Sequence, residues 1–220
     1  MKIIEKYHVI IYILLVMCAS IIILYKVSGY GKEKSIVIDR KNIVDEQVPT
    51  KDNLPTIDFE KLRKKYNNKD IKGAIRINGD KFEQIVFQTS NNTYYLTHNY
   101  NKKKTNGEIF LDKSQDIDTS KIKKLYGTGS KSSNVFKNYY NDLYYRNHKY
   151  LELETDKQIY VYEVLLVYSG DIDCDDFDIN RLIKNSLYTY NLDFDENNEY
   201  LIIETLIDNK EISIVSKKVK

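Results

Sequence analysis

The chain has 220 residues, with 34 basic and 32 acidic side chains and a formal net charge of +2. That near-balance excludes nucleic acid as the main partner, because such binding needs a concentrated basic surface. Two cysteines exclude a disulfide-stapled scaffold and a Cys-rich zinc module, and 8 Gly with 2 Pro exclude collagen-like and Pro/Gly low-complexity chains.

The chain opens on a membrane signal. Residues 9–27 hold only Ser20 and Lys26 as clearly polar groups, and Lys26 stands at the end, where its stem can snorkel. A helix of that length spans a hydrocarbon core of about 30 Å. Tyr12 and Tyr25 lie near the two ends, as interfacial aromatics do. Lys2 and Lys6 precede the span, so residues 1–8 are expected in the cytoplasm and the rest of the chain outside it. The rival reading is a cleaved signal peptide, but Val27-Ser28-Gly29 is a poor cleavage site. Residues 28–56 are polar, contain Pro49 and Pro55, and show no sustained period. They read as a stalk, with a domain over 57–220.

Within that domain, 58–66 predicts a helix: Asp58 caps it, and Phe59, Leu62 and Tyr66 share a face. Strands are predicted at 74–77, then across the Asn78-Gly79 turn at 82–88, and further on at 93–97, 108–111, 123–126, 150–154 and 158–168. Two more close the chain at 201–206 and 211–215. A late helix is expected after a cap at Asp175 or Asp176, with Phe177, Ile179, Leu182, Ile183 and Leu187 as its apolar stripe. About eight short strands with few helices indicate a mainly β domain, a barrel or a sandwich.

Five blocks in this order resemble a class B sortase. Phe82-Glu83-Gln84-Ile85-Val86-Phe87-Gln88 is similar to the strand before that family's Asp-Asn-x-Tyr-Tyr-Leu-x-His segment, which stands here as Asn91-Asn92-Thr93-Tyr94-Tyr95-Leu96-Thr97-His98. Gly107-Glu108-Ile109-Phe110-Leu111-Asp112 resembles the family's Gly-Ser-Ile-Phe-x-Asp. Leu125-Tyr126-Gly127 resembles the opening of its Tyr-Gly-His-Asn block, and Val161-Tyr162-Glu163-Val164 its strand before the late helix. The resemblance implies a closed β-barrel of about eight strands, with a short N-terminal helix and one late helix, held at the outer face of a Gram-positive cell membrane.

Sortases cut a sorting signal and join the new carboxyl end to an amine. They use a cysteine nucleophile, a histidine that moves protons, and an arginine at the oxyanion. At the matching positions this chain has Leu206 for the cysteine, Thr128 for the histidine, and Glu211 or Ile212 for the arginine. The resemblance therefore implies a pseudoenzyme, with His98, Tyr126, Glu204 and Thr205 as the candidate groove. Thr205 is a hydroxyl beside the lost thiol, but strand alternation points it to the opposite face. Cys174 sits among Asp171, Asp173, Asp175 and Asp176, neighbours that suppress a thiolate. Those acids have the spacing that opens an EF-hand, but the sixth place is Asp176 rather than Gly and the twelfth is Leu182 rather than Glu, so no metal site and no cofactor is expected. The tyrosine pairs Tyr139-Tyr140 and Tyr144-Tyr145 read as half-buried surface. Three functions compete: an accessory module that binds a sorting-signal peptide or a surface or sortase protein, an active transpeptidase with displaced catalytic residues, and a structural envelope protein.

Overall fold

The computed structural model describes residues 54–127, 129–192, 194–195 and 197–219. The expected membrane span, nearly all of the expected stalk and Thr128 lie outside the described residues. Among those described, no helix is long and apolar enough to cross a membrane.

Helix α1 (Phe59–Tyr66) begins where the Asp58 carboxylate accepts the Lys61 N–H at 2.9 Å, and it ends at Asn67 in the left-handed region. Its buried residues are Phe59 and Leu62. Strands β1 (Ile71–Ile77) and β2 (Glu83–Phe87) form an antiparallel pair around a turn in which Gly79 adopts φ +81°. A one-turn helix α2 (Tyr94–Thr97) precedes β3 (Ile109–Leu111) and β4 (Ile122–Tyr126). Helix α3 (Ser130–Phe136), a 3-10 turn (Lys137–Tyr140) and α4 (Asp142–Asn147) follow. The remaining elements are β5 (Tyr150–Thr155), β6 (Ile159–Ser169), α5 (Ile179–Lys184), β7 (Ser186–Thr189), β8 (Tyr200–Ile207) and β9 (Lys210–Lys218).

Eight of the nine strands close a ring in the order β5-β1-β2-β3-β4-β8-β9-β6, with β6 pairing back onto β5. The barrel is mixed, because β2–β3 and β4–β8 are parallel. Strand β6 has 11 residues, long enough to pair with β5 at its start and with β9 and β7 further on. The interior is filled by alternate residues, among them Ile75, Val86, Leu125, Leu153, Val164, Leu201, Ile203 and Ile214. Each such side chain contributes roughly 1.5–3 kcal/mol by leaving water. A second core lies on the outside of the barrel, where Ile179 and Leu182 of α5 join Leu166, Tyr200, Ile202 and Val215. Strand β8 is thus apolar on both faces from Tyr200 to Ile203, the pattern of a central strand covered on two sides.

The structure departs from the sequence reading in four places. Residues 94–97 are helical rather than extended, because the Asn91 side chain accepts the N–H groups of Thr93 at 3.0 Å and Tyr94 at 2.9 Å and starts a turn there. The late helix is capped by Asp178, not by Asp175 or Asp176: the Asp178 carboxylate accepts the Arg181 N–H at 3.1 Å. Leu187 lies outside that helix, on β7, and is exposed. Residues 130–147 form short helices that pack Tyr139 and Tyr145 into the core, so only Tyr140 and Tyr144 of the two pairs are half-buried.

Candidate functional site

Strands β4, β8 and β9 end together at one rim of the barrel. Their register puts Tyr126 beside Glu204, Glu204 beside Ser213, and Leu206 beside Glu211. The ladder continues one step past β4, where the Gly127 N–H donates to the Glu204 carbonyl at 2.7 Å. Side chains alternate along β8. Thr205 shares the inner face with Leu201 and Ile203 and is fully buried. Its hydroxyl donates to the Gly127 carbonyl at 2.7 Å and lies 3.1 Å from Ser133 Oγ. Glu204 and Leu206 take the outer face, and Leu206 is 42% exposed. Leu206 is therefore open to solvent on that face.

The turn after β8 sets the other half of this geometry. Asp208 and Asn209 have φ of 51° and 62°, and Ile207 pairs with Lys210, so β8 and β9 are joined by two left-handed residues. Two successive left-handed residues make the twist-matched hairpin turn. It leaves no slack between the strands and fixes Glu211 directly across from Leu206 on the outer face. Ile212 faces Thr205 and is buried.

Beneath the outer face lies an ionic triad that the sequence reading missed. Lys124 Nζ sits 2.6 Å from Glu204 Oε2, donates to Asp171, and also reaches the Ile172 carbonyl at 3.2 Å. The Lys124 and Glu204 side chains are 6% and 12% exposed, so their charges are held in low-dielectric surroundings. Burial pushes the Glu204 carboxyl up to about 7, and its hydrogen bond with Asp171 pushes the same way against the pull of Lys124. The Asp171 carboxyl moves down, chiefly through that same hydrogen bond and then through Lys124. The two carboxyls therefore shift in opposite directions around a single ammonium. Burial opposes the charge on Lys124, but its bonds to Asp171 and Glu204 outweigh that and raise its pKa. Tyr126 completes the rim: its ring stacks on Phe110, and its hydroxyl donates to Asp112 at 2.9 Å.

The other predicted residues fall elsewhere. His98 stacks on Tyr94, can donate from Nδ1 to the Tyr94 carbonyl at 3.0 Å, lies 3.1 Å at Nδ1 from the Thr97 hydroxyl, and pairs with Lys104 in an isolated β-bridge, all within its own segment. Cys174 is half-buried. Burial pushes its thiol up, and Asp112 and Asp173 add to that, while Gln115 and Lys124 oppose it. Desolvation, more than the acidic neighbours, is what keeps it a thiol. Of the acidic run, Asp171 is committed to Lys124 and Glu204, Asp173 accepts the Asp175 N–H, and Asp176 pairs with Arg181. Among the described residues, no group of three or more His, Cys, Asp or Glu is placed to hold a metal ion.

No protein-family model and no curated protein matches the sequence. Solved structures do. Sortase B of Clostridium perfringens superimposes with a TM-score of 0.64 at 23% identity, over 73% of this chain and 100% of that one. Sortase B of Bacillus anthracis, in complex with AAEK1, gives 0.66 at 22%, over 78% and 89%. A Staphylococcus aureus sortase B–substrate complex gives 0.64 at 23%, over 74% and 84%. The fold is that of a class B sortase. The rim formed by β4, β8 and β9 is where the sequence resemblance puts the family's chemistry.

Proposed function

We propose that this is a membrane-anchored, sortase B-like protein without transpeptidase activity, which binds an extended peptide or a partner protein at the outer rim of its barrel. One observation carries the reading. The positions that the resemblance assigns to a nucleophile and an oxyanion cation hold Leu206 on β8 and Glu211 or Ile212 on β9, and of these Leu206 and Glu211 lie side by side on one exposed face. A branched alkyl group has no lone pair with which to attack a carbonyl. A carboxylate there opposes the negative charge that develops on the oxygen. The lone thiol among the described residues, Cys174, lies on the loop after β6 and is biased against the thiolate that attack requires. The N-terminal span would set the domain on the extracytoplasmic face, where sorting-signal peptides and surface proteins are found. That a sortase B with this fold has been solved as a substrate complex supports a ligand-binding role.

The test is a quenched fluorescent peptide library with an added amine nucleophile, run on the full-length protein, on Leu206→Ala and after thiol alkylation. No cleavage is expected in any arm. Leu206→Cys should also stay silent, since its thiol would have no proton carrier and would face Glu211. Peptide binding weakened by Leu206→Ala or Glu211→Ala supports the binding module. Turnover that survives Leu206→Ala and disappears on alkylation of Cys174 would show an active enzyme with a displaced nucleophile. Neither binding nor turnover would leave the structural role.

A further inference from the structure

The loop of residues 170–178 after β6 is fastened to three strands at once. The Gly170 N–H donates to the Glu211 carbonyl on β9 at 2.8 Å, and Ser213 Oγ of β9 donates to the Gly170 carbonyl at 2.8 Å. Lys124 of β4 holds Asp171 and the Ile172 carbonyl, and the same Nζ lies 2.6 Å from Glu204 Oε2 of β8, so one ammonium joins the loop to two strands. Ile172 is buried in the outer core. The groups facing Glu204 are Lys124 and Tyr126 from β4, Asp171 from the loop, and Ser213 from β9, with Glu211 two pairs further along the ladder. Lys124 is the single cation among them. One ammonium balances only one of the two carboxylates, and a proton kept between them neutralises the other, which for Glu204 lies where little water reaches.

We infer that residues 170–178 form a proton-latched strap over the candidate site, closed while Glu204 and Asp171 share a proton and loosened when that proton leaves. With the proton in place, Lys124 balances one carboxylate and the triad is neutral. Without it, two carboxylates compete for one ammonium, and Glu204 must carry its charge where little water reaches it. Asp171, 57% exposed, has the easier escape into solvent. The loop is therefore the element that gives way, and the barrel strands stay. Glu204 binds its proton more tightly in the closed strap than in the open one. The stabilisation is full below the ordinary Glu range, near 4.5, and is lost as pH rises through about 7. Its consequence, wider access to the rim around Glu204 and Leu206, rests on the proposed binding role.

Hydrogen exchange of the full-length protein tests the latch without any peptide, so its failure and failure of the binding role are separable. The readout is the protection of the Gly170 and Ile172 amides, which donate to the Glu211 carbonyl and the Asp171 carboxylate, at pH 6 and pH 8, corrected for intrinsic exchange. Protection should fall roughly tenfold between the two, the ratio set by pKa values near 7 closed and 4.5 open. Glu204→Gln keeps a donor toward Asp171 at every pH, so its strap should stay protected with the pH step removed. Asp171→Asn, at an exposed position, should also abolish the step while lowering protection at both pH values. Equal protection of the wild type at pH 6 and pH 8, or an undiminished step in Glu204→Gln, would overturn the latch.

Discussion

Thr205 and Glu204 are neighbours in sequence with opposite fates, and alternation along β8 decides them. Thr205 is turned inward, where its hydroxyl satisfies the Gly127 carbonyl at the end of β4. Thr205→Val keeps the shape and removes the donor, leaving a buried carbonyl short of a partner. The cost should be about 1–3 kcal/mol, read as a lower urea midpoint with an unchanged slope. An unchanged midpoint would mean that water replaces the hydroxyl. The face taken by each of these residues was legible in the sequence, because a strand has period two. The triad around Glu204 was not. Lys124, Asp171 and Glu204 lie far apart in the chain and meet only through the parallel pairing of β4 with β8 and the return of the loop after β6. The available signal was Lys123-Lys124 inside an apolar strand. Successive residues face opposite sides, so one lysine had to be buried on each face and each needed a carboxylate. Lys123 finds Glu199 at 3.2 Å, and Lys124 finds Glu204.

Among the elements, long strands were legible and short turns of helix were not. Strands β6, β8 and β9 carry apolar runs long enough to show their type. The helices between β4 and β5 have no such signature: α3 has no side-chain cap, and its Ser-Lys-Ser-Ser-Asn sequence has poor helix propensity. Tertiary packing of Phe136 and Tyr139 holds that segment in place. Residues 93–97 misled for the converse reason. Thr-Tyr-Tyr is β-prone, but the Asn91 cap and the buried Tyr95 hydroxyl, bonded to Asn68 and Asp70, override the preference. The β8–β9 turn is the element on which the site depends most. Asp208 and Asn209 both sit at positive φ, where a β-branched side chain is strained. Asn209→Ile should cost about 1–2 kcal/mol, and it should weaken any ligand held across Leu206 and Glu211, because the hairpin register is set there. Asn209→Gly should keep stability and binding. Equal stability of the isoleucine and glycine variants would show that the turn does not set the register.

At the scale of the molecule, a closed ring removes the free edges that a short-stranded sheet would expose. Closure is made by the pairing of β5 with β6, from Tyr150 with Glu163 to Glu154 with Ile159. That closure also determines where the chain enters the barrel. The Glu154 carboxylate accepts the Ile57 N–H at 2.6 Å and the Thr56 hydroxyl at 3.1 Å, so the last residues of the expected stalk are pinned to β5. Arg76 pairs with both Glu152 and Glu154 and holds that carboxylate in place. A stalk fastened in this way should end sharply, with the chain protected from about Thr56 onward and open to proteases before it. If residues 9–27 span the membrane with residues 1–8 inside, protease added to intact protoplasts should cut ahead of that pin and release a resistant fragment beginning near residue 54. Glu154→Gln should loosen the pin, since the neutral amide accepts these bonds more weakly and loses the pairing with Arg76. It should shift the cut past residue 57 while the barrel stays folded. A domain that remains intact until the protoplasts are lysed would place it on the cytoplasmic side and remove sorting-signal peptides from the ligands the rim could meet.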